Sequence, residues 1–390
     1  MFEIHVGLRP KIRKILFCLG ELICKFLPVN RKKIVFDNFG GKGFGDDPKY
    51  IAKHLHCNYP ELKLYWLVNK SNRFTLPSYI TPVPYVSFMH AFHMSTARVW
   101  VDNVRSTIRP QKRRGQFYIQ TWHGGLFWLK KVEGQVDGIE VAYKRNAIKD
   151  GKITDLMYSN SDFVVDLFKK YFWYNGKIIK CGLPRLVPLV NISADTRKRV
   201  INHFKLDNDV SIVLYAPTFR KYYNREVYTF DYHRILARLD EKFKKRHVLF
   251  VRLHPNIQKH AKDFNYSDRI IEASSYPDMQ ELLIASDILI NDYSSSMFEF
   301  SCILKRPVFI LAKDIDIYMN SDRDFNIKLS DLPFSIAKTD TELLTYIEMF
   351  KYDVYLENVN KFSENIGLSE DGCGDKYIGK IIYEKTIDVK

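Results

Sequence analysis

The chain has 390 residues, long for a single core and about right for two domains; 46% hydrophobic and 14% aromatic residues exclude the disordered and low-complexity classes. A net charge of +15 and a pI near 9.3 point to an anionic partner (nucleic acid, an acidic membrane face or a phosphorylated substrate) or to a generally cationic surface without a specific one; no zinc-finger spacing or aromatic-plus-basic RNA signature is present, and no nucleic-acid partner is expected. Six cysteines without a CxxC pair fit a reducing compartment, and no stretch reaches the roughly 20 apolar residues of a membrane span.

The first predicted element covers residues 1–30. Ile15, Leu16, Leu19, Leu22, Ile23 and Phe26 recur at helical spacing among Lys11, Arg13, Lys14 and Lys25, with Arg31, Lys32 and Lys33 following. Glu21 and Lys25 interrupt the apolar run and no small-residue cleavage site follows, which argues against a signal peptide. A basic helix lying on an anionic membrane fits the pattern, and so does a helix packed on the body of the protein.

From Lys33 the pattern alternates strand, loop and helix. Lys33–Asp37 reads as a buried strand; the glycine loop 40–45 with Lys42 follows, and Asp47-Pro48 opens a helix. That loop lacks the GxxxxGK[ST] spacing of a P-loop and reads either as an acceptor-side loop or as a plain turn. Strands are expected at 62–68, 98–101, 117–120, 156–159 and 177–181, with helices at 87–97 and 161–171. Residues 184–208 are mixed, and the domain junction is expected there. The alternation restarts with strands at 211–215, 247–253, 288–291 and 308–311, helices at 230–239 and 279–285, and a helical tail. Alternating elements in both halves predict two doubly wound α/β parallel-sheet (Rossmann-like) domains, 31–190 and 205–390, in which ligands bind beyond the carboxyl ends of the strands.

Three segments in such positions carry chemistry. His123 stands in Thr121-Trp122-His123-Gly124-Gly125, where an imidazole beside uncrowded backbone can accept a hydroxyl proton; the alternative is a histidine bonded within a turn. Arg252 and His254 lie two apart at a strand end and so could face one anion. Asp292-Tyr293-Ser294-Ser295-Ser296, running on to Glu299, reads as strand, polar turn and helix start, a place where N–H groups and hydroxyls collect a diphosphate; plain helix capping would need only one serine. Thr218 and Arg220, after another strand, are further expected phosphate contacts. No metal is expected: there is no HExxH, His54 and His56 lack ligand spacing, and Asp46-Asp47 alone is a helix cap.

Taken together, Gly45-Asp46-Asp47-Pro48-Lys49-Tyr50, Thr121-Trp122-His123-Gly124, Gly182-Leu183-Pro184-Arg185, Ala216-Pro217-Thr218-Phe219-Arg220, Arg252-Leu253-His254-Pro255, Asp292-Tyr293-Ser294-Ser295 with Phe298-Glu299, and Pro307 leading to Asp314 and Tyr318 resemble the CDP-glycerol glycerophosphotransferase family of teichoic acid and capsule synthesis. The resemblance covers about residues 36–334. It implies a GT-B-like fold with domains facing a cleft and the nucleotide on the C-terminal one. The implied reaction moves a polyol phosphate, glycerol phosphate first, from a CDP-polyol to a hydroxyl of a lipid-linked or polymeric glycan acceptor and releases CMP, without a cofactor. A peripheral enzyme at the cytoplasmic membrane face follows. His123 would be the base, with Gly124 beside the substrate; His254 would hold or protonate the diphosphate; Arg252 and Ser294 to Ser296 would neutralise phosphate charge. The pattern departs after His123, where Gly125 to Lys130 read Gly-Leu-Phe-Trp-Leu-Lys, and at Leu186-Val187. The length leaves no room for the extra N-terminal domain of some polymerases in the family, which implies a primase-like or single-linkage transferase. The competing expectation is a GT-B glycosyltransferase that uses a nucleotide sugar.

Overall fold

The computed structural model describes residues 4–123, 126, 131–220, 222–254, 256–321 and 325–387. The chain forms two compact units, the first built on residues up to His123, Glu133–Val187 and Ser369–Lys390, the second on Pro188–Leu368. Each holds one parallel sheet.

In the first unit the strands are β1 (Asn30–Asp37), β2 (Lys63–Val68), β3 (Thr81–Pro84), β4 (Ala97–Asp102), β5 (Phe117–Gln120), β6 (Leu156–Ser159) and β7 (Lys177–Lys180), in the order β3-β2-β1-β4-β5-β6-β7. The order reverses between β1 and β4, which pair from Ile34–Val99 to Asp37–Asp102, so the switch point opens at Asp37 and Asp102. The apolar runs Ile34-Val35-Phe36 and Val99-Trp100-Val101 are buried, as strands covered on both faces require.

The second unit repeats the plan with β8 (Ser211–Tyr215), β9 (His247–Val251), β10 (Ile270–Glu272), β11 (Ile288–Asn291), β12 (Val308–Leu311) and β13 (Ile336–Ala337), ordered β10-β9-β8-β11-β12-β13. Its switch point lies between β8 and β11, at the start of Ala216–Arg220 and Asp292–Ser296. The expected fold class, two doubly wound α/β domains, is what the chain adopts.

Three strands escape the sequence pattern, and all three are sheet edges. β3 reads Thr-Pro-Val-Pro, β10 has three residues and β13 two. Prolines are tolerated at an edge because no outer neighbour needs their missing donors. The expected domain limits also change. The second unit takes residues 188–368 together with the described residues among 124–132, and it does not run to residue 390: the helix Gly374–Ile387 packs in the first unit against α2 (Asp46–Asn58). Gly379 permits the approach, since a Cβ there would lie 2.5 Å from the ring of His54. Glu370, its carboxylate accepting from the Leu183 N–H at 2.9 Å and from Asn160 Nδ2 at 2.9 Å, fixes the returning segment.

The N-terminal helix α1 (Ile4–Cys24) packs on the body of the first unit along one side. A narrow stripe of Phe17, Gly20 and Cys24 is buried and packs on the helix Phe88–Thr96. A side chain at residue 20 would place its Cβ 2.9 Å from that of Ala91, so glycine sets the spacing. Glu21 bonds the N–H of Gln111 at 2.9 Å, and Arg113 reaches the Leu27 carbonyl at 2.7 Å. Ile12, Ile15, Leu16, Leu19, Leu22 and Ile23 are exposed, Ile15 at 64%, as is Phe26 just after the helix at 79%. Among the described residues no helix is long and apolar enough to cross a membrane.

Candidate active site

β5 ends at Gln120, and its continuation is held in an unusual turn. Trp122 has φ 56°, a left-handed conformation that a bulky residue adopts only when its surroundings impose it. Here Gln120 Oε1 accepts the Trp122 N–H at 2.9 Å, the Thr121 N–H bonds the Asp102 carbonyl at 2.9 Å, and the indole packs edge-on against Phe172. The turn delivers His123 with its ring stacked on Trp122 at 4.7 Å and against Phe39 at 5.1 Å.

The Nδ1 atom of His123 lies 2.7 Å from the carbonyl of Asn103. A carbonyl only accepts, so Nδ1 carries the proton and Nε2 keeps a lone pair. Burial, above all, lowers the pKa of this imidazole; the bond to Asn103 and the charge of Asp46 oppose that shift, and Arg185 adds to it. The ring is therefore a neutral acceptor at neutral pH.

Asn103, fully buried just after β4, organises the surroundings. Its Oδ1 accepts the Phe39 N–H at 2.8 Å, and its Nδ2 donates to Asn38 Oδ1 and Asp46 Oδ2, each at 2.8 Å. Asp46, with φ 54°, also accepts from Arg185 Nη1 at 3.0 Å, and the Arg185 N–H donates to Asp47 Oδ1 at 2.8 Å. Burial, opposed by Arg185, pushes the Asp47 carboxyl up to about 8. Asn103, Asp46, Asp47 and Arg185 are the residues that sequence reasoning left without a site role. The signal was there in part: the Gly45-Asp46-Asp47-Pro48 and Gly182-Leu183-Pro184-Arg185 motifs are the two ends of this one network. Gly124 lies outside the described residues.

In the second unit His254 follows β9, half-buried, with its ring 4.7 Å from that of Phe219. Its Nδ1 is 3.2 Å from the Asn256 N–H, which can only donate. The tautomer that fits this bond carries its proton on Nε2, the reverse of His123.

The serine turn at the end of β11 is held by Asn291, whose Nδ2 donates to the Ser294 carbonyl at 3.0 Å and to Ser296 Oγ at 3.2 Å. Ser296 is buried and bonds Ser294 Oγ at 3.1 Å. Ser295 stands at the helix start without a capping bond from its side chain. Among the described residues, the N–H groups of Ser294 and Ser295 and the Ser295 hydroxyl have no protein partner. Glu299 is buried in the following helical turn.

The other expected phosphate contacts are engaged within the protein. Asp292 accepts from the Thr218 hydroxyl at 2.8 Å, the Thr218 N–H at 2.9 Å and Arg220 Nη1 at 2.9 Å. Arg220 continues to Asp314 through Nε at 2.7 Å and lies over the rings of Tyr293 and Tyr318. Burial opposes its charge, but Asp292 and Asp314 outweigh burial and raise its pKa. Arg252 donates Nη1 to the carbonyls of Ala273 at 3.1 Å and Tyr276 at 2.7 Å, and burial draws its pKa down to about 10. β9 ends at Val251, so the strand phase that would pair Arg252 with His254 does not reach them. Thr218, Arg220, Asp292 and Arg252 thus build the frame around the turns.

Known proteins resemble the chain over nearly all of its length. The chain is 30% identical over 380 residues to the teichoic acid poly(glycerol phosphate) polymerase of Staphylococcus epidermidis, covering 94% of this chain and 52% of that protein. It thus spans about half the length of that curated relative. It superposes on the wall teichoic acid polymerase TagF with a TM-score of 0.84 at 28% identity, over 99% of this chain and 98% of the other. A likeness to Staphylococcus aureus MnaA in complex with UDP, TM-score 0.51 at 12% identity over 90% of this chain and 96% of that one, extends the fold alone. The family of CDP-glycerol:poly(glycerophosphate) glycerophosphotransferases matches residues 21–384, and the chain belongs to that family.

Proposed function

We propose that this protein transfers glycerol phosphate from CDP-glycerol to the terminal hydroxyl of a polymeric acceptor in teichoic acid synthesis, releasing CMP. The observation that carries the reading is the tautomer of His123. With Nδ1–H tied to the Asn103 carbonyl, Nε2 is a lone-pair acceptor for a hydroxyl proton. In the transfer the acceptor oxygen attacks the phosphorus that bears the glycerol. Its proton passes to Nε2 of His123, the bond from that phosphorus to the bridging oxygen breaks, and the electron pair leaves with CMP. On the donor side, Nε2–H of His254 and the N–H groups and hydroxyl of Ser294 and Ser295 offer hydrogen bonds to the diphosphate. Phosphoryl transfer needs little covalent help, so positioned donors and one base are the machinery it asks for.

The acceptor in this reading is lipid-linked at its far end, and the enzyme works on an anionic membrane at the cytoplasmic face. Support comes from α1, whose exposed Ile15, Leu19, Leu22 and Phe26 are flanked by Lys11, Arg13, Lys14 and Lys25, and from the six free thiols. The test is direct. Purified protein is given CDP-glycerol, CDP-ribitol or common nucleotide sugars with a glycerol phosphate oligomer, and the released nucleotide and the product mass are read. CMP release with growth by one glycerol phosphate is expected from CDP-glycerol. Product growth by a sugar, with a glycosidic bond in place of a phosphodiester, would overturn the assignment.

A further inference from the structure

The side chains of Phe39 and Lys42, in the loop joining β1 to α2, exchange no proton in the transfer. Phe39 has φ 48°, and Gly40 and Gly41 follow at 66° and 80°, so three residues in succession are left-handed. Glycine would take the first of these positions without strain, as it does the next two. The chain carries phenylalanine there although the ring gains little burial, being 38% exposed. The ring it meets is that of the proposed base, His123, at 5.1 Å with the planes at 59°.

The loop is firmly held. The Phe39 N–H bonds Asn103 Oδ1 at 2.8 Å, the Gly41 N–H bonds Asp37 Oδ1 at 2.8 Å, and the Lys42 N–H bonds the Asn38 carbonyl at 2.9 Å. The carbonyls of Gly40 and Gly41 accept from Asn69, through Nδ2 at 3.1 Å and the main-chain N–H at 2.9 Å. Strain at Phe39 is therefore imposed by a rigid frame, and the strained side chain is presented to solvent beside the base rather than to the core. Lys42 is exposed and has no ion-pair partner among the described residues.

We propose that Phe39 and Lys42 form the acceptor platform, Phe39 packing on the carbon stem of the acceptor's terminal polyol so that its hydroxyl points to Nε2 of His123, and Lys42 neutralising the acceptor's last phosphodiester. The proposal rests on the transferase reading and names the residues that select its second substrate. A terminal polyol has an apolar edge and a polar edge; an aromatic face takes the first and leaves the hydroxyl to the imidazole. One ammonium next to it suits one phosphodiester charge. Both residues are positioning residues: neither exchanges a proton with the reacting groups.

The experiment measures binding of a short glycerol phosphate oligomer, dye-labelled at its far end, and separately of CDP-glycerol, to the full chain and to Phe39→Gly, Phe39→Tyr and Lys42→Glu. Phe39→Gly should weaken oligomer binding by roughly tenfold, the loss of one aromatic contact, while thermal stability holds or rises because glycine suits the backbone. Lys42→Glu should weaken it by about tenfold or more, with an effect that salt reduces. Phe39→Tyr should keep the wild-type affinity, and all variants should bind CDP-glycerol equally. Unchanged oligomer binding in Phe39→Gly overturns the platform and leaves the transferase reading standing. A joint fall in stability and in both affinities assigns Phe39 a structural role and also overturns it. A wild-type chain that binds CDP-glycerol but no oligomer overturns the polymeric acceptor, and the platform with it.

Discussion

His123 and His254 each follow a parallel strand, each lies against an aromatic ring, and each has Nδ1 bonded to main chain. What differs is the partner: a carbonyl at 2.7 Å for His123, an N–H at 3.2 Å for His254. That difference moves the proton from one nitrogen to the other and gives Nε2 opposite roles, acceptor in the first unit and donor in the second. The surroundings differ in the same sense. Around His123 the side chains of Asn103 and Arg185 both bond Asp46, whereas the Ser294-Ser295 turn leaves two N–H groups and a hydroxyl without a protein partner among the described residues. The first unit presents one imidazole with Nε2 as the acceptor; the second presents main-chain and hydroxyl donors that have no protein partner among the described residues.

Breaking the base should have the largest effect. His123→Ala should lower kcat by about 10²–10⁴-fold, the usual contribution of a positioned general base, while donor binding is unchanged, as isothermal titration with CDP-glycerol would show. A variant with normal turnover would remove His123 from the chemistry. His254→Ala should cost less, about 10²-fold in kcat/KM, the scale of one lost donor to developing charge. His254→Gln should recover part of that loss, because an amide N–H can replace Nε2–H; His123→Gln should recover less, because an amide oxygen is a poor base. Equal recovery at both positions would erase the contrast between the two tautomers.

The frame and the turn it supports separate next. Asp292→Ala leaves Arg220 buried beside only Asp314 and removes the acceptor of Thr218, so unfolding in denaturant should show a loss of about 3–5 kcal/mol. Ser295→Ala should leave stability within about 0.5 kcal/mol and raise the KM for CDP-glycerol by about tenfold. If Asp292→Ala kept full stability with a higher KM, the carboxylate would belong to the substrate side after all.

The same contrast explains what could be read from the sequence. Interior strands such as Ser211–Tyr215 and Leu156–Ser159 announced themselves as apolar runs, because a strand covered on both faces has no polar phase. The edges β3, β10 and β13 are too short or too rich in proline to do so. The strand ends that carry His123 and the serine turn were legible because the apolar runs before them mark where each strand stops. The internal bonds of Arg220 and Thr218 were not legible, because a sequence shows a cation and a hydroxyl but not the carboxylate of Asp292, 72 and 74 positions away, that takes both. Asn103 left no mark at all: its main-chain oxygen sets the tautomer of His123, and any residue type has that oxygen.

The smallest expected effect is in pH. Burial lowers the pKa of His123, so the imidazole stays neutral to a pH below the ordinary histidine value of about 6.5. The base is active when neutral; kcat/KM should hold through neutrality and fall on acidification with a midpoint below about 6.5. Stability alone cannot report this shift. A histidine with a depressed pKa binds its proton more readily in the unfolded chain, so its contribution is full above the unfolded value and is lost as pH falls. His90, lowered by burial to about 3, and His93, lowered to about 4, act in that same direction. Asp47, raised by burial to about 8, acts the other way: its protonated form is favoured by folding, and its contribution is lost as pH rises toward that value. The two classes oppose each other across the acid range, and a melting profile mixes them. The kinetic limb isolates His123, because Asp46 and Arg185 are the charges that act on its ring. Asp46→Asn removes the carboxylate that favours the imidazolium and should move the limb further toward acid, by a fraction of a pH unit, with the plateau rate kept. A limb that moves toward alkali instead would show that the titrating base is a different group.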